Sequence, residues 1–318
     1  MFSLKTPTGN KAIKRKQRPK GFFTNRTREK LDGWLFVAPF VISALIFLIG
    51  PVIVAFILSF KEYSLLDQTT ILSAKNVGLT NYMKVIKDPI FIKALKNTFI
   101  YSLCAVPLQL IIALLLALVV DSKIKAKAFF RVAYYIPTLT SAVAVSLIFL
   151  FLFKVDGLFT RFLTIFGVAP RSWFQDPKFA LGAIVLMAVW SSVGVYMIIF
   201  LSGLQEIPET LYEAAEIDGA NKFKRFFKIT LPLIKPTFFF NLVISVIGTL
   251  QMFDQSYIIS GGNGGPLDST MTVVLYLYNK AFKESEMGYA SAIAFVLFAI
   301  IFTLTLIEKK IFKEEEAN

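Results

Sequence analysis

Residues 209–232 read ETLYEAAEIDGANKFKRFFKITLP, and apolar runs lie on both sides of them. Glu209, Glu213, Glu216 and Asp218 are followed by Lys222, Lys224, Arg225 and Lys228. Charges at this density are too costly for a hydrocarbon interior, so the stretch stays in water and its flanks end at the membrane surface. Pro208 suits a first helical turn, Glu209 and Glu213 sit near the positive helix end, and Gly219 can close the helix with positive backbone angles. The reading is a short helix over 208–218. Asn221 then caps a second basic helix that Pro232 stops before the next apolar run. Leu211, Ala214, Ala215 and Asp218 recur at three- and four-residue spacing, which makes one face of the first helix small and lightly apolar. Such a ridge fits a groove on a partner protein, and a plain soluble connector is the other reading.

The flanks fix the class. Of the 318 residues, 56% are hydrophobic and 33 are phenylalanine, with a mean hydropathy of +0.65, far from a soluble average. Residues 34–60, 98–120, 132–153, 180–203, 237–259 and 289–307 carry at most one Asp, Glu, Lys or Arg each. At about 1.5 Å per residue every one is long enough for a hydrocarbon core of about 30 Å. None alternates with the period of a barrel strand. The expected fold is an all-α integral membrane protein with six transmembrane helices and a structured loop over 204–236. Of 34 Lys and Arg, 22 lie on the side shared by the two termini, which makes both termini cytoplasmic in a multi-pass protein of the cell membrane. Residues 1–33 read as a disordered basic tail, 34–307 as one transmembrane domain, and 308–318 as a short cytoplasmic end.

Composition also excludes chemistry. There is no histidine, and the single cysteine, Cys104, lies in an apolar run, so neither a disulfide nor a cysteine metal cluster is available. The formal charge of +13 rests largely on the tail, where ten Lys and Arg face two acids; anionic lipid accounts for that better than nucleic acid. Prolines 39, 51, 107 and 137 fall inside spans and bend helices unless neighbours compensate.

The opening stretch resembles a known family. Glu213-Ala214-Ala215, Gly219, Ile229 and Leu231-Pro232 are similar in spacing to the EAA-x3-G-x9-I-x-LP signature of permease subunits of binding-protein-dependent ABC importers. Beyond it, WLFVAPF (34–40), GLTNYMKVIKDPIFIKALKNTFIY (78–101), AFFRVAYYIPTLTSAVAVSLIF (128–149), FDQSYIISGGNGGPLDST (253–270) and MGYASAIAFVLF (287–298) look like segments of the maltose-type and glycerol-phosphate-type permeases, in the same order. The resemblance implies a carbohydrate or a polyol phosphate as cargo. It implies three partners: a second permease subunit, a pair of ATPase subunits that hold ATP and Mg, and an external solute-binding protein. It makes residues 208–218 the coupling helix, with Glu213, Ala214, Ala215 and Gly219 at the matching positions and Leu211 and Asp218 on the same ridge.

The remaining candidates concern a solute path. Asp254 is the one charged residue in the six stretches, with Gln251, Gln255 and Tyr257 nearby, and a carboxylate there marks a cavity unless it anchors a helix end. Trp190 and Tyr196 can stack on sugar faces or simply pack. Gln109 faces either the path or another helix. GGNGGPLDST (261–270) lacks the Gly-Lys-Ser/Thr of a phosphate loop and reads as an outer turn, either a rigid gate or docking point for a solute-binding protein or a plain connection between spans. Residues 75–97 read as short amphipathic helices lying on the membrane, or as part of the face met by the binding protein. With no nucleotide motif of its own, the chain is expected to bind no cofactor and to be no enzyme. An ion-driven secondary transporter is the rival reading, set back by the shortage of intramembrane carboxylates; an integral membrane enzyme is the weaker one.

Overall fold

The computed structural model describes residues 25–66, 70–122 and 126–316, with side chains between 33 and 312. It divides into two compact units at Val54. The first unit holds α1 (Asn25–Ala44), a single π turn at Leu45–Ile49 and the start of α2 (Gly50–Ser59), whose residues from Ala55 on belong to the second unit. Trp34, Phe36, Phe40 and Phe47 stand exposed along it, as a lipid-facing helix requires. Residues 25–33, read above as tail, are helical; residues 1–24 lie outside the described part.

The second unit opens with a two-stranded antiparallel ladder, β1 (Lys61–Glu62) on β2 (Lys75–Asn76). A short helix α3 (Thr80–Lys87) follows, then the long α4 (Pro89–Asp121). The Asp88 side chain accepts from the amides of Ile90 and Phe91, capping α4 nine residues before the apolar run begins. Residues 89–97 therefore extend the second span, and only α3 lies apart as a separate amphipathic helix. Next come α5 (Lys127–Leu139), α6 (Ala142–Leu152), α7 (Leu158–Thr164) and α8 (Ala180–Gln205). Then follow α9 (Glu209–Ile217), α10 (Lys222–Arg225), a π turn at Phe226–Thr230, α11 (Leu231–Leu233), α12 (Lys235–Leu250), α13 (Asp254–Ser260), α14 (Val273–Tyr278) and α15 (Met287–Glu316). Among the described residues five helical stretches are long and apolar enough to cross a membrane, with α5 and α6 a sixth if the bent pair counts as one.

Three expectations need correction. The stretch 132–153 is not one straight span, because α5 and α6 meet at 96°. Thr140 is extended and Ser141 caps α6 through the Val143 amide, so the chain changes direction there with its backbone groups still satisfied. Pro232 does not stop the helix before it: the π turn ahead of it absorbs the missing donor, and the chain continues through α11 into α12. The C-terminal residues 308–316 continue α15 as helix.

The bundle is centred on α4 packed along α8, with α12 and α5 against them. At Gly194 of α8 the α5 backbone comes so close that an added Cβ would lie 2.2 Å from the Tyr134 carbonyl oxygen. A seam of polar side chains runs through this apolar interior. Ser102 bonds Thr249 at 2.8 Å, Ser245 donates to Gln109 at 2.8 Å, and Asn241 donates to the Tyr196 carbonyl at 3.2 Å. Each such bond ties helices together where no water competes.

Candidate coupling and translocation surfaces

The 209–232 stretch forms a braced elbow. Gly219, at φ +72°, ends α9 in the left-handed region, with Ala220 N–H on the Ala215 carbonyl at 2.8 Å and Gly219 N–H on the Glu216 carbonyl at 3.0 Å. Asn221 Oδ1 accepts from the Lys224 amide at 2.8 Å, capping α10. The two arms are cross-linked by Tyr212 with Thr230 at 2.9 Å and by Arg225 with Glu216 at 2.9 Å. Tyr212 and Leu231 also pack on the buried cluster of Phe200, Leu204, Ile207 and Ile234. A push on α9 is thereby carried into α8 and α12.

What α9 leaves outside is a ridge. Leu211, Glu213, Ala214, Asp218 and Gly219 are exposed, while Ala215 is half-buried against the elbow. Ile217, which the spacing argument passed over, is 87% exposed. It lies three residues from Ala214, and a lone apolar residue among four acids was the signal available for it. Leu211, at 42% exposed, is the other large apolar side chain left open on this charged helix.

At the other candidate surface the residues separate. Gln109 is buried and bonded to Ser245, so of its two readings the helix-to-helix one holds. Tyr196 is buried in the core cluster with Met197 and Phe200. Tyr257 packs with Phe253 and Tyr278, under Lys283 at 5.9 Å. Trp190 is half exposed, with Phe149 at 5.5 Å. Asp254 and Gln251 are exposed at the interruption between α12 and α13. That interruption adjoins the α5–α6 bend, since α13 packs on α6. A recess of about 170 Å³ at the bend is lined by Thr138, Thr140, Ser191 and Gln255 together with Pro137. Irregular backbone at membrane depth is tolerated where it is buried in protein or lines a cavity, and here two breaks sit side by side bearing hydroxyls and amides.

Residues 98–311 match the family model of the binding-protein-dependent transport system inner membrane component. The chain belongs to this family. It is 40% identical to the probable ABC transporter permease protein YesP of Bacillus subtilis (strain 168), over 88% of this chain and 90% of that one. It is 38% identical to the arabinooligosaccharides transport system permease protein AraP of the same organism, over 89% of each. The trehalose/maltose transport system permease protein MalF of Thermococcus litoralis is 34% identical, over 89% of this chain and 94% of that one. Among solved structures, a chain of a bacterial ABC transporter involved in the import of the acidic polysaccharide alginate has the same fold, with a TM-score of 0.73 at 22% identity, covering 92% of this permease and 99% of that chain. The permease is thus a transport component and not an enzyme, and it is held in the membrane by several apolar helices.

The Gln109–Ser245 bond makes one small prediction. Gln109→Leu in the permease will lower thermal stability in detergent by about 0.6 kcal/mol and leave solute selectivity unchanged; uptake assays with competing solutes check the second half.

Proposed function

We propose that this chain is one of two permease subunits of an ATP-driven importer that carries a carbohydrate delivered by an external solute-binding protein. The observation that carries the solute class is the pair of adjoining breaks. Thr138, Thr140, Ser191 and Gln255 line the recess with hydroxyl and amide groups and no lysine or arginine, while Gln251 and the carboxylate of Asp254 stand exposed at the interruption next to Gln255. Neutral polyhydroxylated solutes exchange their water hydrogen bonds for such groups without a change in charge. Relatives named for arabinooligosaccharides and for trehalose and maltose support the same class. Trp190 at the edge of this region supplies an apolar face for a sugar ring.

In this reading both termini and α9 are cytoplasmic, consistent with the excess of Lys and Arg on that side. The α9 ridge seats in a separate ATPase subunit, where ATP and Mg are held. This chain's own contribution is mechanical: closure of the ATPase pair moves α9, the elbow passes the motion to α8 and α12, and the broken spans switch the side to which they open. The solute undergoes no covalent change.

The test is reconstitution with the ATPase and binding protein. Labelled oligosaccharide should accumulate in proteoliposomes with ATP on the α9 side and none should accumulate under a proton or sodium gradient alone. Gln251→Ala and Asp254→Ala should each lower uptake by about tenfold, the worth of one lost hydrogen bond to the solute. Accumulation under an ion gradient without ATP would overturn the proposal.

A further inference from the structure

A further cavity lies away from both surfaces above. It measures about 760 Å³ and is bounded by β1 and the residues after it, by α3, and by the start of α15. Lys61, Lys84, Lys87 and Lys280 supply its cations, and Glu62, Asp88 and Glu286 its acids.

The acids are already engaged. Glu62 pairs with Lys75 at 3.5 Å, and Glu286 pairs with Lys280, which also holds Glu284. Asp88 accepts from Tyr276, from Tyr289 and from two backbone amides. The cations divide differently. Lys61 Nζ donates to the carbonyls of Ile71 and Leu72, both at 2.8 Å, which orients its charge without neutralising it. Lys84 and Lys87 are exposed and have no ion pair among the described residues. Asp88, held only by neutral donors, keeps its own negative charge there, so Lys61, Lys84 and Lys87 leave the cavity with a net positive excess of two.

The faces of α3 decide what those charges meet. Asn81 and Val85 form the packed stripe; Asn81 bonds the carbonyls of Ser59 and Lys61 at 3.0 Å, and Tyr82 bonds Ser59 at 2.7 Å. Lys84 and Lys87 share the stripe that borders the cavity. Leu79, Met83 and Ile86 form a third stripe, exposed at 63%, 57% and 67%. An exposed apolar stripe marks a contact with another protein or with a membrane, and here it runs beside lysines. A helix resting on a bilayer requires both, the apolar stripe for acyl chains and the lysines for phosphates. The apolar helices α2 and α15 end and begin at Ser59 and Met287, next to Lys61 and Glu286 that line the cavity, which brings this side of it to the membrane surface.

We propose that this cavity holds the phosphate of an anionic phospholipid, with Lys84, Lys87 and Lys61 around the phosphodiester and Met83 and Ile86 against its acyl chains. The bound lipid then acts as a wedge that fixes α3 relative to α15.

The experiment uses the complete chain purified with its copurifying subunits and placed in nanodiscs of mixed phosphatidylglycerol and phosphatidylcholine, with retained lipids counted by native mass spectrometry. Wild type should retain phosphatidylglycerol in preference, and Lys84→Gln with Lys87→Gln should weaken that retention by about tenfold or more. Met83→Ser with Ile86→Ser should weaken both lipids alike, and Lys178→Gln, outside the cavity, should change neither. Equal melting temperatures will confirm that the variants are folded, since none touches the packed stripe. Undiminished phosphatidylglycerol retention by the double lysine variant would overturn the proposal. So would complete displacement of the lipid by millimolar inorganic phosphate, which marks a soluble-anion site. Weaker attachment of the binding protein with lipid retention unchanged would equally overturn it, by marking a protein-docking face.

Discussion

Gly219→Trp will abolish ATP-driven uptake while the chain remains folded in the membrane. The position separates two costs that usually travel together. Gly219 adopts φ +72°, and beyond its two chain neighbours no atom of the described residues lies within 4 Å of where a Cβ would stand. Inside the subunit, then, a side chain meets only the left-handed backbone penalty of about 1–2 kcal/mol, at the exposed end of a short helix. Gly219→Ala bears that same penalty and should retain most activity. The indole adds bulk on the solvent side, beside Ala214 and Asp218, where the proposed ATPase groove must close. A loss well beyond that of Gly219→Ala therefore measures the partner and not the fold. Glu213→Lys should act in the same direction, reversing an exposed charge on the ridge without touching the Tyr212–Thr230 or Glu216–Arg225 braces. Both should lower coupled uptake by at least about tenfold, as central interface positions do. Uptake and ATP hydrolysis measured in the same vesicles, with insertion checked by protease accessibility, decide the matter. Cross-linking from Ala214→Cys is the direct companion; it needs Cys104→Ser first, because Cys104 is exposed and would react as well. Wild-type uptake by both Gly219→Trp and Glu213→Lys would remove the docking role.

The elbow was readable because its signals are local. A proline before the first turn, a glycine after the last, an asparagine cap and the switch from acids to bases are written in adjacent residues, and α9 runs Glu209–Ile217 where 208–218 was expected. Hydropathy found the spans for the same reason. It failed where direction and facing matter. Thr140 and Ser141 are uncharged residues inside an apolar run, so a 96° bend leaves the hydropathy profile undisturbed, although Pro137 three residues earlier hinted at it. Lys93 and Lys96 read as loop charges; they belong to the first turns of α4, where Lys93 reaches Asp268 at 3.4 Å. For Gln109, Tyr196 and Trp190 the deciding fact is which helix faces them across the bundle. Nothing within one span's sequence encodes that, and only the packed structure sends Gln109 and Tyr196 inward and leaves Trp190 half exposed.

Asp88→Ala should be the most destabilising single change outside the membrane. One carboxylate caps α4 and receives the hydroxyls of Tyr276 from α14 and Tyr289 from α15. Losing the cap costs about 1 kcal/mol, and losing charge-assisted bonds from the buried Tyr276 and the half-buried Tyr289 costs about 1.5 kcal/mol or more each. A total of about 4 kcal/mol or more is large against the margin of any domain, and thermal unfolding in detergent will show it as a clear fall in melting temperature. Tyr276→Phe and Tyr289→Phe should each cost less, and together less than Asp88→Ala, because the cap survives in both. The pH dependence follows from the same contacts. Partial burial pushes the Asp88 carboxyl up, but the bonds from Tyr276, Tyr289, Phe91 and Ile90 outweigh it and hold the group below the ordinary carboxylate range. A carboxylate depressed on folding contributes stability that is fully present above its unfolded value of about 3.9 and is lost as pH falls through the lower folded value. The joint should therefore hold unchanged from pH 8 to pH 5, so acidification of the medium within that window leaves α3, α4, α14 and α15 fastened. A melting temperature that differs between wild type and Asp88→Ala at pH 8 but converges by pH 5 would show the carboxyl titrating in that range, contrary to the contacts around it.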